Sequence, residues 1–316
     1  MTRTAVVGVG YLGRFHAQKY AALPGSRLVA VADPNASARA ALQKELGVEG
    51  VEDYRSLIGR VDAVSIVTPT PSHFAIARDF LEAGVDVLLE KPITVTIEEA
   101  ESLNQIAGGA GRILQVGHLE RFNAVVQAVQ PTLTTPRFIE SARLAPFKQR
   151  GTDVDVVLDL MIHDIDLILS IVRSPVVSVD AIGTSVFSNE IDIANARLRF
   201  ANGCVANSTA SRVSLKTERK LRIFEDDAYL SIDLHQKVLT VIRKGTGEGL
   251  EGMPPVSIEE RNYDQGDALK DEIAAFLNSV ATREAPMVSG EDGLLALKTA
   301  VKIADQVRKS RERFKS

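Results

Sequence analysis

Apolar residues in the first 120 positions cluster in short runs, and between them lie longer stretches whose apolar positions recur at helical spacing. The runs at 4–10, 28–32, 61–67, 85–89 and 113–116 predict five strands. The stretches at 15–23, 37–46, 73–83 and 96–107 predict helices, with a shorter one at 53–58. Pro24-Gly25, Gly47 and Gly84 stand where helices should stop. Strands alternating with helices imply a parallel, doubly wound sheet, since parallel neighbours need a long crossover. Such a sheet binds ligands at the carboxyl ends of its strands.

Beyond Arg121 the rhythm changes. A linking helix at 122–130, an alternating strand at 138–145 and a long helix at 154–172 come first. Strands at 176–187, 192–200, 204–211, 220–225, 228–233 and 238–243 follow, joined by turns such as Asn202-Gly203 and Asp226-Asp227. Short turns between consecutive strands suggest an antiparallel meander. Residues 245–264 read as a loop, and helices at 267–279 and 291–308 finish the chain. The expected fold class is α/β: a dinucleotide-binding domain over 1–120 and an α+β domain over 121–316.

Composition narrows the function classes. A formal net charge of -4 argues against a protein whose main partner is nucleic acid. The single cysteine, Cys204, allows no internal disulfide and no cysteine-rich metal site, which fits a reducing, cytoplasmic setting. Met1-Thr2-Arg3 run directly into the first strand, leaving no room for a signal peptide. No apolar run approaches the roughly 18 residues of a membrane span.

Five predicted strand ends carry the candidate chemistry. Gly8, Gly10 and Gly13 are spaced G-x-G-x-x-G, with Tyr11 and Leu12 between the last two, and Asp33 follows the second strand. Gly8 permits the tight turn, Gly10 lets the backbone approach a pyrophosphate, and Gly13 lets helix and strand pack closely. The pyrophosphate would sit on the helix N-terminus, where N–H groups and dipole favour negative charge. Asp33 would accept from a ribose 2′-hydroxyl and repel a 2′-phosphate, which predicts NAD over NADP. Thr68, Pro69, His73, Glu90 and Lys91 fall at or just beyond the next two strand ends and are expected among the cofactor-binding residues, and His118 falls at the last. The Lys91 ammonium could hold a substrate hydroxyl, or could be a surface cation paired with Glu90.

The helix at 154–172 carries Asp155, Asp159, His163 and Asp166 at spacings of four, four and three, along one face. That stripe reads either as a solvated face or as an acid/base His oriented by Asp159; metal spacing is not recognisable. Two further stretches are basic: Arg143, Lys148 and Arg150, then Arg212, Lys216, Arg219 and Lys220. They read as solvated strand ends or as holders of an anionic substrate.

Taken together, Gly8 to Gly13, Thr68 to His73, Glu90-Lys91-Pro92 and the Asp159 to His163 pair resemble the Gfo/Idh/MocA oxidoreductases over nearly the whole chain. The resemblance implies a Rossmann domain followed by an open antiparallel sheet that binds substrate and often makes a homodimer or homotetramer contact. It also implies roles: Lys91 on the substrate hydroxyl, His163 transferring the proton, and Asp159 positioning substrate or His163. His118, Arg121 and Asn123, the stretch 159–167 and the stretch 217–220 look most like members that oxidise nucleotide sugars, UDP-N-acetylglucosamine 3-dehydrogenases among them. An inositol or free sugar is the alternative substrate. A non-catalytic NAD sensor is the alternative class, and a biliverdin-reductase-like activity a further one.

Overall fold

The computed structural model describes residues 1–148, 154–245, 255–263 and 265–315. The chain divides into two compact units, Met1–Phe122 with Asp267–Leu295, and Asn123–Gly266 with Ala296–Ser316.

In the first unit, strands β1 (Thr2–Val7), β2 (Ser26–Ala32), β3 (Glu49–Val51), β4 (Ala63–Ile66), β5 (Asp86–Glu90) and β6 (Leu114–Gly117) form one sheet. Its order is β3-β2-β1-β4-β5-β6 and every pair is parallel. That order reverses between β1 and β4, the switch point at which doubly wound folds bind dinucleotides. All four residues of β4 are buried, serine included, because helices cover both faces of such a sheet. The helices of this stretch are α1 (Tyr11–Ala22), α2 (Ala36–Leu46), α3 (His73–Glu82) and α4 (Ile97–Ala110). Local chemistry sets their ends. Asn35 caps α2 through the N–H groups of Ser37 and Ala38, and Gly47, in the left-handed region, stops it. Thr96 and Glu99 form a reciprocal capping box on α4. The short β3 escapes hydrophobic patterning because its three residues include none that is fully buried.

The second unit opens with α5 (Ala124–Val129), capped by Asn123, and β7 (Phe138–Leu144). The long helix expected at 154–172 is instead a wider π-turn, Val157–Met161, leading into α6 (Ile162–Val172). Strands β8 (Val176–Thr184), β9 (Ile193–Phe200), β10 (Val205–Ser211), β11 (Glu218–Phe224), β12 (Ala228–Asp233), β13 (Val238–Lys244) and β14 (Val256–Asn262) complete an eight-stranded sheet. Its order is β14-β13-β12-β11-β7-β10-β9-β8. The antiparallel expectation needs one correction: β7 and β10 run parallel, in register from Phe138 opposite Val205 to Leu144 opposite Ser211. A second correction is β14, which lies in the stretch read as a loop. All seven of its residues are exposed, so burial imposes no alternation for a sequence pattern to show. One sheet face packs against α6, with Val157, Met161, Ile165 and Ile168 meeting Ile139, Ala196, Leu198 and Ala206 in one core.

Buried ion pairs of this unit include Arg143–Asp164 and Arg212–Asp192. The Arg143 guanidinium donates to Asp164 at 2.8 Å, with both side chains under 5% exposed. Arg212 donates to Asp192 at 2.8 Å, to the Val154 carbonyl at 2.7 Å and to the Ile191 carbonyl at 3.1 Å. Asp192 also accepts from the N–H groups of Val186, Phe187 and Ser188 and from the Ser188 hydroxyl. Burial works against its ionisation, but the Ser188 bonds and the two further N–H groups outweigh that and hold the carboxyl well below the usual range.

Helices α7 (Ala268–Thr282) and α8 (Gly290–Lys315) end the chain. The sequence division at residue 120 places α7 with the second domain, yet α7 packs into the first unit. Its Ile273, Phe276, Leu277 and Val280 join Val6, Tyr20, Val31 and Leu88 in one core. No helix among the described residues is long and apolar enough to cross a membrane.

The Asp192 site yields a stability prediction. A depressed folded pKa contributes stability that is present above the unfolded value of about 3.9 and lost as pH falls below it. Urea unfolding should show Arg212→Met losing about 3–5 kcal/mol at pH 7, the cost of stripping one partner from a buried pair. Asp192→Asn should flatten the acid limb of stability relative to the unsubstituted chain.

Candidate functional site

The glycine turn is built as its spacing requires. Gly8 sits at φ +83°, and a Cβ there would meet Thr68 backbone and side chain at 2.8 Å. A Cβ on Gly13 would stand 1.8 Å from the Gly8 carbonyl oxygen, so only glycine lets α1 lie this close to the turn. At Gly10 a Cβ would meet nothing within 4 Å, so no protein packing requires glycine there. The N-cap of α1 is Gly10 itself, with no side-chain cap and no acidic residue in the first turn. Its leading N–H groups are therefore left to an external acceptor. Tyr11 and Leu12 are exposed in this first turn, Tyr11 standing edge-on to Phe15 at 5.4 Å.

Asp33 is held at the end of β2 by two backbone N–H donors, Val9 to Oδ2 and Asn35 to Oδ1, each at 2.8 Å. This joins the β1 and β2 strand ends and fixes the carboxylate beside the glycine turn. The nearest guanidinium, Arg39, donates to the Asp33 carbonyl at 2.5 Å and lies 3.7 Å from Glu52. It is thus engaged rather than presented to a 2′-phosphate. A bare helix N-terminus, a glycine facing open space and an oriented carboxylate fit a dinucleotide with a free ribose 2′-hydroxyl.

The next two strand ends meet at His73. Its buried ring lies 2.8 Å from the Thr68 carbonyl through Nε2 and 3.0 Å from the Pro92 carbonyl through Nδ1. Burial pushes its pKa down, so the ring favours the neutral form. His73, expected among cofactor residues, therefore sits between the Thr68 and Pro92 carbonyls, and the neutral ring donates to one of the two. Lys91 is half-buried at the end of β5, before a cis Lys91–Pro92 bond.

Glu90 was also expected to face the cofactor. The structure turns it inward instead. Its Oε1 lies 3.2 Å from Nε2 of fully buried His16, and its Oε2 accepts from the Lys91 N–H at 3.3 Å. Nδ1 of His16 lies 3.2 Å from the Ser65 hydroxyl, which is 2.9 Å from the Tyr20 hydroxyl. Glu272 of α7 completes the cluster with no exposure at all. Sequence reasoning missed His16 and Glu272 because each reads as one polar position in an amphipathic helix.

In the second unit, the polar stripe is not a solvated face. Asp155 and Asp166 are buried, while Asp159 and His163 are half-buried. Asp155 accepts from the N–H groups of Val157 and Leu158 and pairs with Arg308 at 2.9 Å, so it anchors the π-turn. Asp159 lies within that turn and His163 just after it, at the place where π-turns often mark function.

The expected substrate-binding residues separate by environment. Arg143 and Arg212 are interior ion-pair partners, which neither basic-patch reading anticipated. Asn123 caps α5 and donates to the Leu234 carbonyl at 3.0 Å. Arg121 is buried 3.7 Å from Asp292, and the backbone of buried His118 accepts from the Arg121 N–H. Lys148 is exposed, beside Phe147, which stands edge-on to Phe187. Lys216 is exposed and pairs with Glu218 at 2.7 Å. Arg150 lies outside the described residues.

Two family models match. One, an oxidoreductase family with an NAD-binding Rossmann fold (GFO_IDH_MocA), covers residues 2–118. The other, the GFO/IDH/MocA C-terminal domain, covers residues 126–231. The UDP-N-acetylglucosamine 3-dehydrogenase of Acidithiobacillus ferrooxidans is 42% identical over 302 residues, 95% of this chain and 96% of that protein. A solved structure of that enzyme superimposes with a TM-score of 0.92, covering 97% of each chain. The scyllo-inositol 2-dehydrogenase (NAD(+)) of Bacillus subtilis is 25% identical over 97% of this chain and 94% of its own length.

The turn predicts cofactor behaviour directly. Gly13→Ala should abolish NAD binding measured by fluorescence titration, since its methyl cannot coexist with the Gly8 carbonyl. Asp33→Ala should raise the NADP to NAD ratio of kcat/KM by about 10²-fold, the scale of losing a charged hydrogen bond and a like-charge repulsion. An unmoved ratio would remove Asp33 from cofactor selection.

Proposed function

The chain belongs to the Gfo/Idh/MocA oxidoreductase family, and we propose that it oxidises a secondary hydroxyl of a nucleotide sugar, position 3 of UDP-N-acetylglucosamine. It is an NAD-dependent dehydrogenase acting on a CH–OH group. The observation that carries the substrate is the 42% identity to an enzyme of that name, sustained over both units. Identity to the inositol dehydrogenase of Bacillus subtilis is 25%, which leaves an inositol or free sugar as the second reading.

When bound, NAD supplies the hydride acceptor. The chain's own residues do the rest. The α1 N-terminus holds the pyrophosphate, and Asp33 orients the adenosine ribose. Lys91, at the end of β5, donates to the reacting hydroxyl and stabilises negative charge as it develops on that oxygen. His163 takes the hydroxyl proton as general base, an imidazole being near its own pKa at neutral pH. Asp159, four residues earlier, positions His163 or the substrate. Lys148 and Lys216 offer exposed ammonium groups to the diphosphate. We assign the chain to the cytoplasm, in line with its single buried thiol at Cys204, and to a homodimer or homotetramer.

The test is incubation with NAD and UDP-N-acetylglucosamine, following NADH absorbance and trapping the ketone with an amine donor and aminotransferase. NADH with inositol or a free hexose alone would replace the substrate. NAD binding with no turnover across a broad sugar panel would leave a sensor. His163→Asn and Lys91→Met should each lower kcat by about 10²–10⁴-fold while NAD affinity stays within a few-fold, the range for losing acid–base or charge stabilisation. Unchanged rates in both would sink the role assignment.

A further inference from the structure

Beneath the strand end that carries Lys91 lies a cluster that the proposed reaction does not use. One side-chain atom from each of His16, Glu90 and Glu272 lies within 4.8 Å of the other two. Neither carboxyl oxygen of Glu272 has a hydrogen-bond partner among the described residues, and the residue is 0% exposed. Gly117 of β6 makes room for the cluster, since a Cβ there would stand 2.9 Å from the Glu90 carboxyl carbon. We propose that this buried trio retains one proton at neutral pH, carried on Glu272, and that the proton positions Lys91.

The charge arithmetic drives the assignment. A neutral His16 with two ionised carboxylates would place two negative charges side by side, one of them on the fully buried Glu272. Like charges this close in a low-dielectric interior cannot both persist. Glu90 is the carboxylate that can stay ionised, because it accepts from the Lys91 N–H and faces the His16 ring. Among the described residues nothing donates to the Glu272 carboxyl, so it is the group that keeps the proton. Burial, with the neighbouring Glu90 charge second, pushes its carboxyl well above the usual range.

Among the described residues packed around Glu272, the His16 ring is the group of the cluster that could carry a positive charge, and Glu90 is the charge that acts on Glu272. From α1 come His16 and Tyr20, and burial pushes the Tyr20 phenol up, so that phenol stays neutral. From β4 comes Ser65, from β5 Glu90, and from β6 Gln115, which donates to the Glu272 backbone carbonyl at 3.2 Å. On the turn Leu119–Phe122, which packs against α7, Glu120 and Arg121 are buried, and Arg121 faces Asp292. Lys19 of α1 pairs with Asp267 at the start of α7.

The link to Lys91 is the Glu90 carboxylate. Ionising Glu272 would repel Glu90, withdraw its Oε2 from the Lys91 N–H and loosen the strand end from which the ammonium projects. Glu272 is thus a positioning residue. This consequence for turnover rests on the dehydrogenase reading above, whereas the proton itself does not.

The experiment has three readouts on the full-length protein loaded with NAD. Infrared spectroscopy with ¹³C-labelled glutamate should show a protonated carboxylic acid band at neutral pH that Glu272→Gln removes. Divided by the intrinsic base-catalysed rate at each pH, hydrogen exchange of the segment holding Lys91 should quicken about tenfold when pH rises past the point where that band disappears, a local opening that Glu272→Gln, which cannot ionise, does not show. The alkaline fall in kcat should flatten in Glu272→Gln and persist in Glu272→Asp. The first two need no substrate, so failure of the sugar assignment leaves them decisive. Absence of the band at neutral pH would overturn the proposal, as would a stoichiometric divalent metal lost in Glu272→Gln. An alkaline exchange profile shared by both proteins would overturn the link to Lys91.

Discussion

A Cβ at residue 13 would stand 1.8 Å from the carbonyl oxygen of Gly8, and the first unit depends on that contact being possible. With no side chain at Gly13, α1 lies against the β1 turn. That seat aims its uncapped N-terminus at the switch point between β1 and β4. The same seat carries His16 and Tyr20, one and two turns further on, into the sheet, where they meet Ser65 and Glu90. One close approach therefore sets the cofactor-facing end of the helix and the polar cluster beneath Lys91 together. Helix α7 closes that cluster from the other end of the sequence, bringing Glu272 and the apolar row Ile273, Phe276 and Val280. The strand end bearing Lys91 is thus supported by residues drawn from 16 to 272.

The second unit solves a different problem. Its sheet places polar side chains on the face that packs against α6, and each must find a partner because an unpaired buried charge is costly. Arg143 meets Asp164, and Arg212 meets Asp192 with two backbone carbonyls. Asp155 pairs with Arg308 of the last helix while its other oxygen caps the π-turn. These pairs hold the turn bearing Asp159 and the first residues of α6 bearing His163. The proposed base and its positioning carboxylate therefore rest on bonded supports rather than on a free loop.

A fold shared with inositol dehydrogenases at 25% identity says little about substrate, because function lies in the side chains a fold presents. In this chain Arg143, Arg212 and Arg121 are drawn inward, while Lys148 and Lys216 remain at the surface. Among the described residues, the anionic-substrate reading accordingly rests on Lys148, Lys216 and Arg219, which are exposed, and on half-buried Lys220.

Local physics written in the chain determined the parallel sheet, most helix positions, the glycine turn and the Asp33 carboxylate. Each follows from neighbours a few residues apart: strand-length apolar runs, caps such as Thr96 with Glu99, and glycines at positions where only glycine fits. Strand β14 was invisible because an exposed edge has no burial pattern, and the parallel β7–β10 pair because pairing partners 67 residues apart leave no local trace. Only tertiary structure decided the fate of the charged residues. Arg143, Asn123, His73 and Glu90 look alike in sequence whether they face a ligand or an interior partner, and the partner is supplied by a distant strand or helix. Glu272 is the extreme case: one acidic position on an ordinary amphipathic helix becomes a buried, unbonded carboxyl only because α7 folds back onto the first sheet.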